Sequence, residues 1–250
     1  MSFIGKVVIV TGASSGIGAA IAIKFAEEGA KVVIVGRNES KLKKVAEKCE
    51  QIGSKPLTII ADVSRDEDVK KMVSTTVAQL KKIDVLVNNA GIITKSAIYD
   101  DNAIEVFDAV MATNLRSVAL ATHFAAPHLI SSKGNIVNVS SIAALSVMTE
   151  SYFSYYASKA ALDHFSRAAA LELASKGVRV NTVNPGPVKT DIFDNTGMDT
   201  VNQEQTWKKL EAKAALGRIS VPEEIADLVL PMLHVWSQHL RWHQWTLASA

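Results

Sequence analysis

Three tyrosines precede one lysine in SYFSYYASKAA, residues 151–161: Tyr152, Tyr155 and Tyr156 stand ahead of Lys159. A phenol of pKa about 10 is too weak an acid to deliver a proton at neutral pH until a nearby cation favours its phenolate. A lysine on the same helix face is such a cation. The pair then suits the proton an alkoxide needs after hydride reaches a carbonyl. Tyr152 lies about 10 Å before Lys159 along a helix axis, too far for direct tuning. Tyr155 and Tyr156 sit four and three residues away, and both spacings bring side chains together. Spacing therefore leaves two candidates, and the competing reading is an aromatic helix that only packs.

Two further patterns point the same way. The apolar run NIVNVSS, 135–141, ends on Ser140 and Ser141, where a hydroxyl at a strand end can donate to a developing oxyanion. TGASSGIG, 11–18, follows the first apolar run and opens the first helical pattern. Gly12 permits a tight turn, and Gly16 and Gly18 permit close backbone approach, so that a pyrophosphate can meet the helix N-terminus. At the end of the second run an NAD site carries an acidic residue, but here Gly36 is followed by Arg37. A guanidinium pairs with a 2′-phosphate that a carboxylate would repel, which favours NADP(H).

These residues need a scaffold, and the hydropathy pattern supplies one. Runs rich in Val and Ile at 6–11, 31–36, 56–62, 84–89, 135–141 and 178–185 read as strands buried on both faces. Helical patterns fill 16–28, 39–52, 66–81, 103–131, 155–176, 203–214 and 222–235. Asn38 or Ser40 is placed to cap the second helix, and Ser64 with Glu67 has capping-box spacing for the third. Gly29, Gly53 and Gly177 follow the first, second and fifth helical patterns as helix-ending glycines do. The alternation predicts an α/β chain: a single-domain, Rossmann-like, doubly wound parallel sheet with helices on both faces, spanning 1–250.

Composition narrows the class. The chain has 250 residues, 48% of them hydrophobic, and a formal charge of +2, so no nucleic-acid footprint is expected. One cysteine, Cys49, excludes an intrachain disulfide, and with no signal-like or membrane-spanning run a cytoplasmic protein is expected. The cluster KLKK, 41–44, reads as a solvated helix face. His239 and His243 have metal-pair spacing with His234 nearby, but no Glu lies between them and no metal site is expected.

TGASSGIG, ADV (61–63), NNAG (88–91), YYASK and NPGPVKT (184–190) together resemble the short-chain dehydrogenase/reductase family, over about residues 5–230. The family's Tyr-x-x-x-Lys motif selects Tyr155 over Tyr156. The resemblance implies Tyr155 as general acid and base, Lys159 as the cation that tunes it and binds the nicotinamide ribose, and Ser141 as the group polarising the substrate oxygen. Asn114 would hold a water linking Lys159 to solvent. The dinucleotide would meet Gly12, Ser14, Ser15, Gly16, Ile17, Gly18, Arg37, Asp62 at the adenine amine, Val63, Asn88, Ala90, Gly91, Tyr155, Lys159, Pro185, Gly186, Val188 and Thr190 at the carboxamide. Asn88 would also support the central sheet. The implied activity is NADP(H)-dependent carbonyl reduction or alcohol oxidation by a homo-oligomer, a dimer or tetramer. A catalytically silent dinucleotide-binding regulator or scaffold is the alternative.

Two departures from the family pattern stand out. Ser141 and Tyr155 are one residue further apart than usual. The tail 231–250 lacks the family's late Thr-Gly and Asp-Gly-Gly, holds three of the four tryptophans, and reads either as divergence or as a reading-frame artefact. Its HQWTLA segment still suits a strand. Membrane attachment by this tail is not expected, since Arg241 is its sole charged residue. A flap at about 190–216 offers Ile192, Phe193, Met198 and Trp207, and Leu145, Ser146 and Met148 are expected opposite, an apolar lining suited to a lipophilic substrate.

Overall fold

A computed structural model of the chain describes residues 3–196, 198–214, 216–233 and 244–247. Seven parallel strands form one sheet in the order β3-β2-β1-β4-β5-β6-β7. They are β1 (Val7–Thr11), β2 (Lys31–Gly36), β3 (Leu57–Ile60), β4 (Val85–Asn88), β5 (Asn135–Val139), β6 (Arg179–Pro185) and β7 (Gln244–Leu247). The order reverses between β1 and β4, which opens a crevice beyond the carboxyl ends of those strands.

Alternate residues of each strand feed two separate cores, as a period of two requires. Val8, Val10, Val32, Ile34, Val85 and Val87 join one core, packed under α1 (Gly16–Glu27), α2 (Glu39–Ile52) and α8 (Pro222–Met232). Val7, Ile9, Val33, Val35 and Leu86 join the other, under α3 (Asp66–Leu80), α5 (Ser117–Ser132) and α6 (Phe153–Ala174). This is why the strands read as unbroken apolar runs. The HQWTLA segment does supply a strand: β7 pairs with β6, Thr182 opposite Gln244 and Val183 opposite Trp245.

Local details refine the sequence reading. Asn38 caps α2, accepting from the Lys41 amide at 2.9 Å. Ser64 does not cap α3, which starts after Arg65; its hydroxyl instead donates to Asp62 at 2.8 Å. Gly29 and Gly177 follow α1 and α6 in left-handed backbone, whereas Gly53 has a negative φ and a Cβ there would lie 2.3 Å from the Ala26 carbonyl oxygen. The helix expected over 103–131 is three pieces: α4 (Ala103–Met111), a π-helical segment (Ala112–Arg116) and α5. The π segment rotates Asn114 into the interior, where it is fully buried; such insertions recur at functional sites.

The segment expected to be a flap holds a 3-10 turn at Asp191–Thr196 followed by α7 (Thr200–Lys213). Among the described residues, no helix is long and apolar enough to cross a membrane, and no cluster of metal-ligating side chains occurs. His234, His239, His243 and most of the tail lie outside the described residues.

Candidate active site

The crevice holds a cavity of about 420 Å³ lined by the segments that leave β1 to β6. Of the residues assigned to cofactor from sequence, Gly12, Ser14, Ser15, Gly16, Ile17, Arg37, Asp62, Val63, Ala90, Gly91, Pro185, Gly186, Val188 and Thr190 all line it. Ser141, Tyr155 and Lys159 line it too. Gly18, Asn88 and Asn114 do not, and each has a different job.

Gly18 serves packing. A Cβ there would fall 2.4 Å from the Gly12 carbonyl oxygen and 2.4 Å from Asn89 Nδ2. Asn88 joins the sheet to α6 through a buried chain. Its amide donates to Asn138 Oδ1 at 2.8 Å, Asn138 donates to Ser166 Oγ at 2.8 Å, and Ser166 donates to the Leu162 carbonyl at 2.7 Å. The residue at the cavity is its neighbour Asn89, which the sequence reading passed over. Asn89 Nδ2 donates to the Thr11 and Gly12 carbonyls at 2.9 and 3.2 Å, and Thr11 Oγ1 accepts from the Asn89 and Ala90 amides. The end of β4 thereby fixes the glycine turn, where Gly12 has φ +65.

Ser15 precedes α1 in extended backbone and makes no capping bond with its side chain, so the first-turn N–H groups of α1 have no side-chain cap. An uncapped helix start beside glycine backbone is an anion site, and it fits a pyrophosphate. Two cations flank the far end of the cavity. The Arg37 guanidinium lies 3.9 Å from the Asp62 carboxylate, with its side chain 60% exposed. Lys41, read from sequence as solvated surface, lines the cavity and reaches across it to the flap, donating to Asp191 at 2.6 Å with Asp194 at 3.8 Å. Its bond to Lys41 holds the Asp191 carboxyl below its usual pKa, burial opposing and Ser15 assisting. Burial pushes the Asp62 carboxyl upward, but hydrogen bonds from Ser64 and the charge of Arg37 outweigh it and hold the group low.

The reactive end is built from β5 and α6. Ser141 stands in extended backbone before a 3-10 turn (Ile142–Ala144) and accepts from the Ala143 amide at 3.1 Å. Its carbonyl accepts from Asn184 Nδ2 at 3.0 Å, and the same nitrogen donates to the buried Asp163 carboxylate at 2.9 Å. The Ser141 hydroxyl acts to lower the Tyr155 phenol and both side chains line the cavity, so the longer spacing between them does not part them. Lys159 is buried, donates to the Val139 carbonyl at 3.0 Å, and lies 5.7 Å from the Tyr155 ring centroid.

Burial pushes the Tyr155 phenol above its usual pKa, with Ser141 opposing and Tyr156 adding to the rise. Burial also lowers Lys159 to about 8, with Asp163 opposing. At this geometry the lysine is directed at the Val139 carbonyl rather than at the phenol.

Asn114 spends its amide on protein partners. It donates to the Ile92 carbonyl at 2.9 Å and Ser158 Oγ at 3.0 Å, and accepts from the Ile92 amide at 2.8 Å. It fixes the strand exit at Ile92 to the start of α6. Of the residues expected to line a substrate pocket, Ile192, Phe193, Trp207 and Met148 line the cavity. Leu145 and Ser146 do not; they are exposed on the loop after β5. Met198 instead offers its sulfur to Thr206 Oγ1 at 3.8 Å.

This arrangement has close counterparts. The family model for short chain dehydrogenases matches residues 6–200. The chain belongs to that family. Glucose 1-dehydrogenase of Gluconobacter oxydans is 37% identical over 231 residues, covering 91% of this chain and 84% of that protein. A short-chain dehydrogenase/reductase of unknown function from Caenorhabditis elegans, solved with cofactor, superimposes with a TM-score of 0.90 at 33% identity, covering 98% of this chain and 94% of that one. The Pseudomonas aeruginosa RhlG/NADP active-site complex gives a TM-score of 0.90 at 27% identity, covering 100% and 97%. Short-chain dehydrogenases are oxidoreductases that bind a nicotinamide dinucleotide, and the glycine turn and uncapped α1 suit that ligand.

Proposed function

We propose that this short-chain dehydrogenase uses NADP(H) and interconverts a carbonyl and a secondary alcohol on a lipophilic small molecule. The convergence of Ser141, Tyr155 and Lys159 on one cavity carries the reading. NADP(H), when bound, supplies or accepts the hydride. Arg37 and Lys41 hold the 2′-phosphate, and the N-terminus of α1 holds the pyrophosphate. Ser141 donates to the substrate oxygen, Tyr155 gives or takes the proton at that oxygen, and Lys159 orients the ribose. Asn184, itself held by Asp163, holds the serine carbonyl, and Asn114 braces the lysine's helix.

The preference for a lipophilic substrate rests on Met148, Ile192, Phe193 and Trp207, apolar side chains that line the same cavity as Ser141 and Tyr155. The bacterial relative is named for a sugar, so a polyol is the reading to be beaten. The protein is taken to act as a homo-oligomer in the cytoplasm, and sedimentation of the purified chain reports the first of these.

A screen of lipophilic ketones and alcohols against glucose, read by the absorbance of the reduced nicotinamide with NADPH and NADH in parallel, tests the proposal. Lipophilic substrates turned over faster with NADPH is the expected result. Tight NADPH binding without any turnover would make the chain a silent dinucleotide binder.

A further inference from the structure

We propose that Tyr156 is a positioning residue for the substrate wall: its hydroxyl holds the loop after β5 and thereby sets Met148 in the lining of the cavity that Tyr155 also lines. The inference rests on the oxidoreductase reading above and adds a determinant of which substrates fit. Successive residues of a helix point about 100° apart, so α6 aims the neighbouring tyrosines at different targets. Tyr155 lines the cavity together with Ser141. Tyr156 meets main chain: its oxygen accepts from the Met148 amide at 3.2 Å and the Thr149 amide at 3.0 Å, and its hydroxyl donates to the Thr149 carbonyl at 3.1 Å. A phenol has one donor and two acceptor positions, and all three are used on this loop.

Nothing else does that work. Among the described residues, Met148 and Thr149 make no other hydrogen bond. Burial does not hold the segment either, since Leu145 is 53%, Val147 76% and Met148 45% exposed. A segment with few buried apolar contacts opens easily unless polar contacts restrain it. Its near end is tied to the 3-10 turn by the Leu145 and Ser146 amides donating to the Ile142 carbonyl, and its far end by Ser96 donating to the Ser151 carbonyl at 2.8 Å. Tyr156 supplies the restraint between them, at the point where Met148 lines the cavity.

Tyr156→Phe removes only the hydroxyl. The expected result is amide hydrogen exchange at Met148 and Thr149 faster by about tenfold. With it comes a KM for a bulky lipophilic substrate raised about 5- to 20-fold, while kcat, its pH profile and the Kd for NADPH stay within about threefold. Met148→Ala should raise the same KM while leaving exchange at Thr149 slow. Unchanged exchange and unchanged KM in Tyr156→Phe would overturn the inference. So would an equal fall in kcat and kcat/KM, which would place Tyr156 in the chemistry. Tyr155→Phe run alongside separates the two ideas: full turnover in that variant would sink the proposed chemistry, while the exchange result at Met148 and Thr149 would still decide the role of Tyr156.

Discussion

Lys159 Nζ lies 5.7 Å from the centroid of the Tyr155 ring and donates to the Val139 carbonyl at 3.0 Å. Burial lowers the lysine to about 8, with Asp163 opposing, against an unfolded value near 10.4. Between those values the unfolded chain binds the extra proton, so this group makes stability rise with pH across that window. Below about 8 the full cost of burying the ammonium is present. Lys159→Met is therefore expected to be more stable than the wild type at pH ~7, by about 2–3 kcal/mol, while losing turnover. Urea unfolding of both proteins at neutral and strongly alkaline pH checks this: the gap should shrink as pH rises.

Tyr155→Phe deletes the hydroxyl that shares the cavity with Ser141. Turnover is expected to fall about 10²- to 10⁴-fold, the usual contribution of a positioned proton donor. NADPH affinity should change little, since the glycine turn and Arg37 are untouched. Steady-state rates alongside a fluorescence titration with NADPH give both quantities.

Arg37→Ala addresses cofactor choice. The guanidinium is exposed and only loosely paired with Asp62, at 3.9 Å, so it is free to turn to a 2′-phosphate. Its loss is expected to lower kcat/KM with NADPH about 10- to 100-fold, as a charge-assisted contact warrants, and to leave NADH almost unaffected. Equal losses with the two cofactors would remove Arg37 from phosphate recognition.

Lys41→Ala cuts the tie between α2 and the flap at Asp191. An exposed ion pair is worth about 0.2–1 kcal/mol, enough to raise the open fraction of the flap about 1.5- to 5-fold. Proteolytic nicking within the flap should accelerate by that factor. High salt should speed nicking of the wild type, through screening, and have less effect on the variant.

The sheet, most helices and the glycine loop are legible in the amino-acid order alone, because each is written in local periodicity or spacing. Val8 and Val7 point to opposite cores for no reason beyond the pleat, and Gly12 sits where a tight turn must be. Geometry along one helix also narrowed three tyrosines to two. It could go no further, since Tyr155 and Tyr156 both reach Lys159 on a helix. The family's motif chose Tyr155, and the fold shows the physical difference: Tyr155 lines the cavity together with Ser141, and Tyr156 meets the backbone of Thr149. Other decisions were likewise long-range. Lys41 finds Asp191 150 residues away, Asn89 rather than Asn88 turns to the glycine loop, and a π segment buries Asn114. Such contacts depend on where separate loops come to rest after the sheet is assembled, and no residue-to-residue periodicity records that.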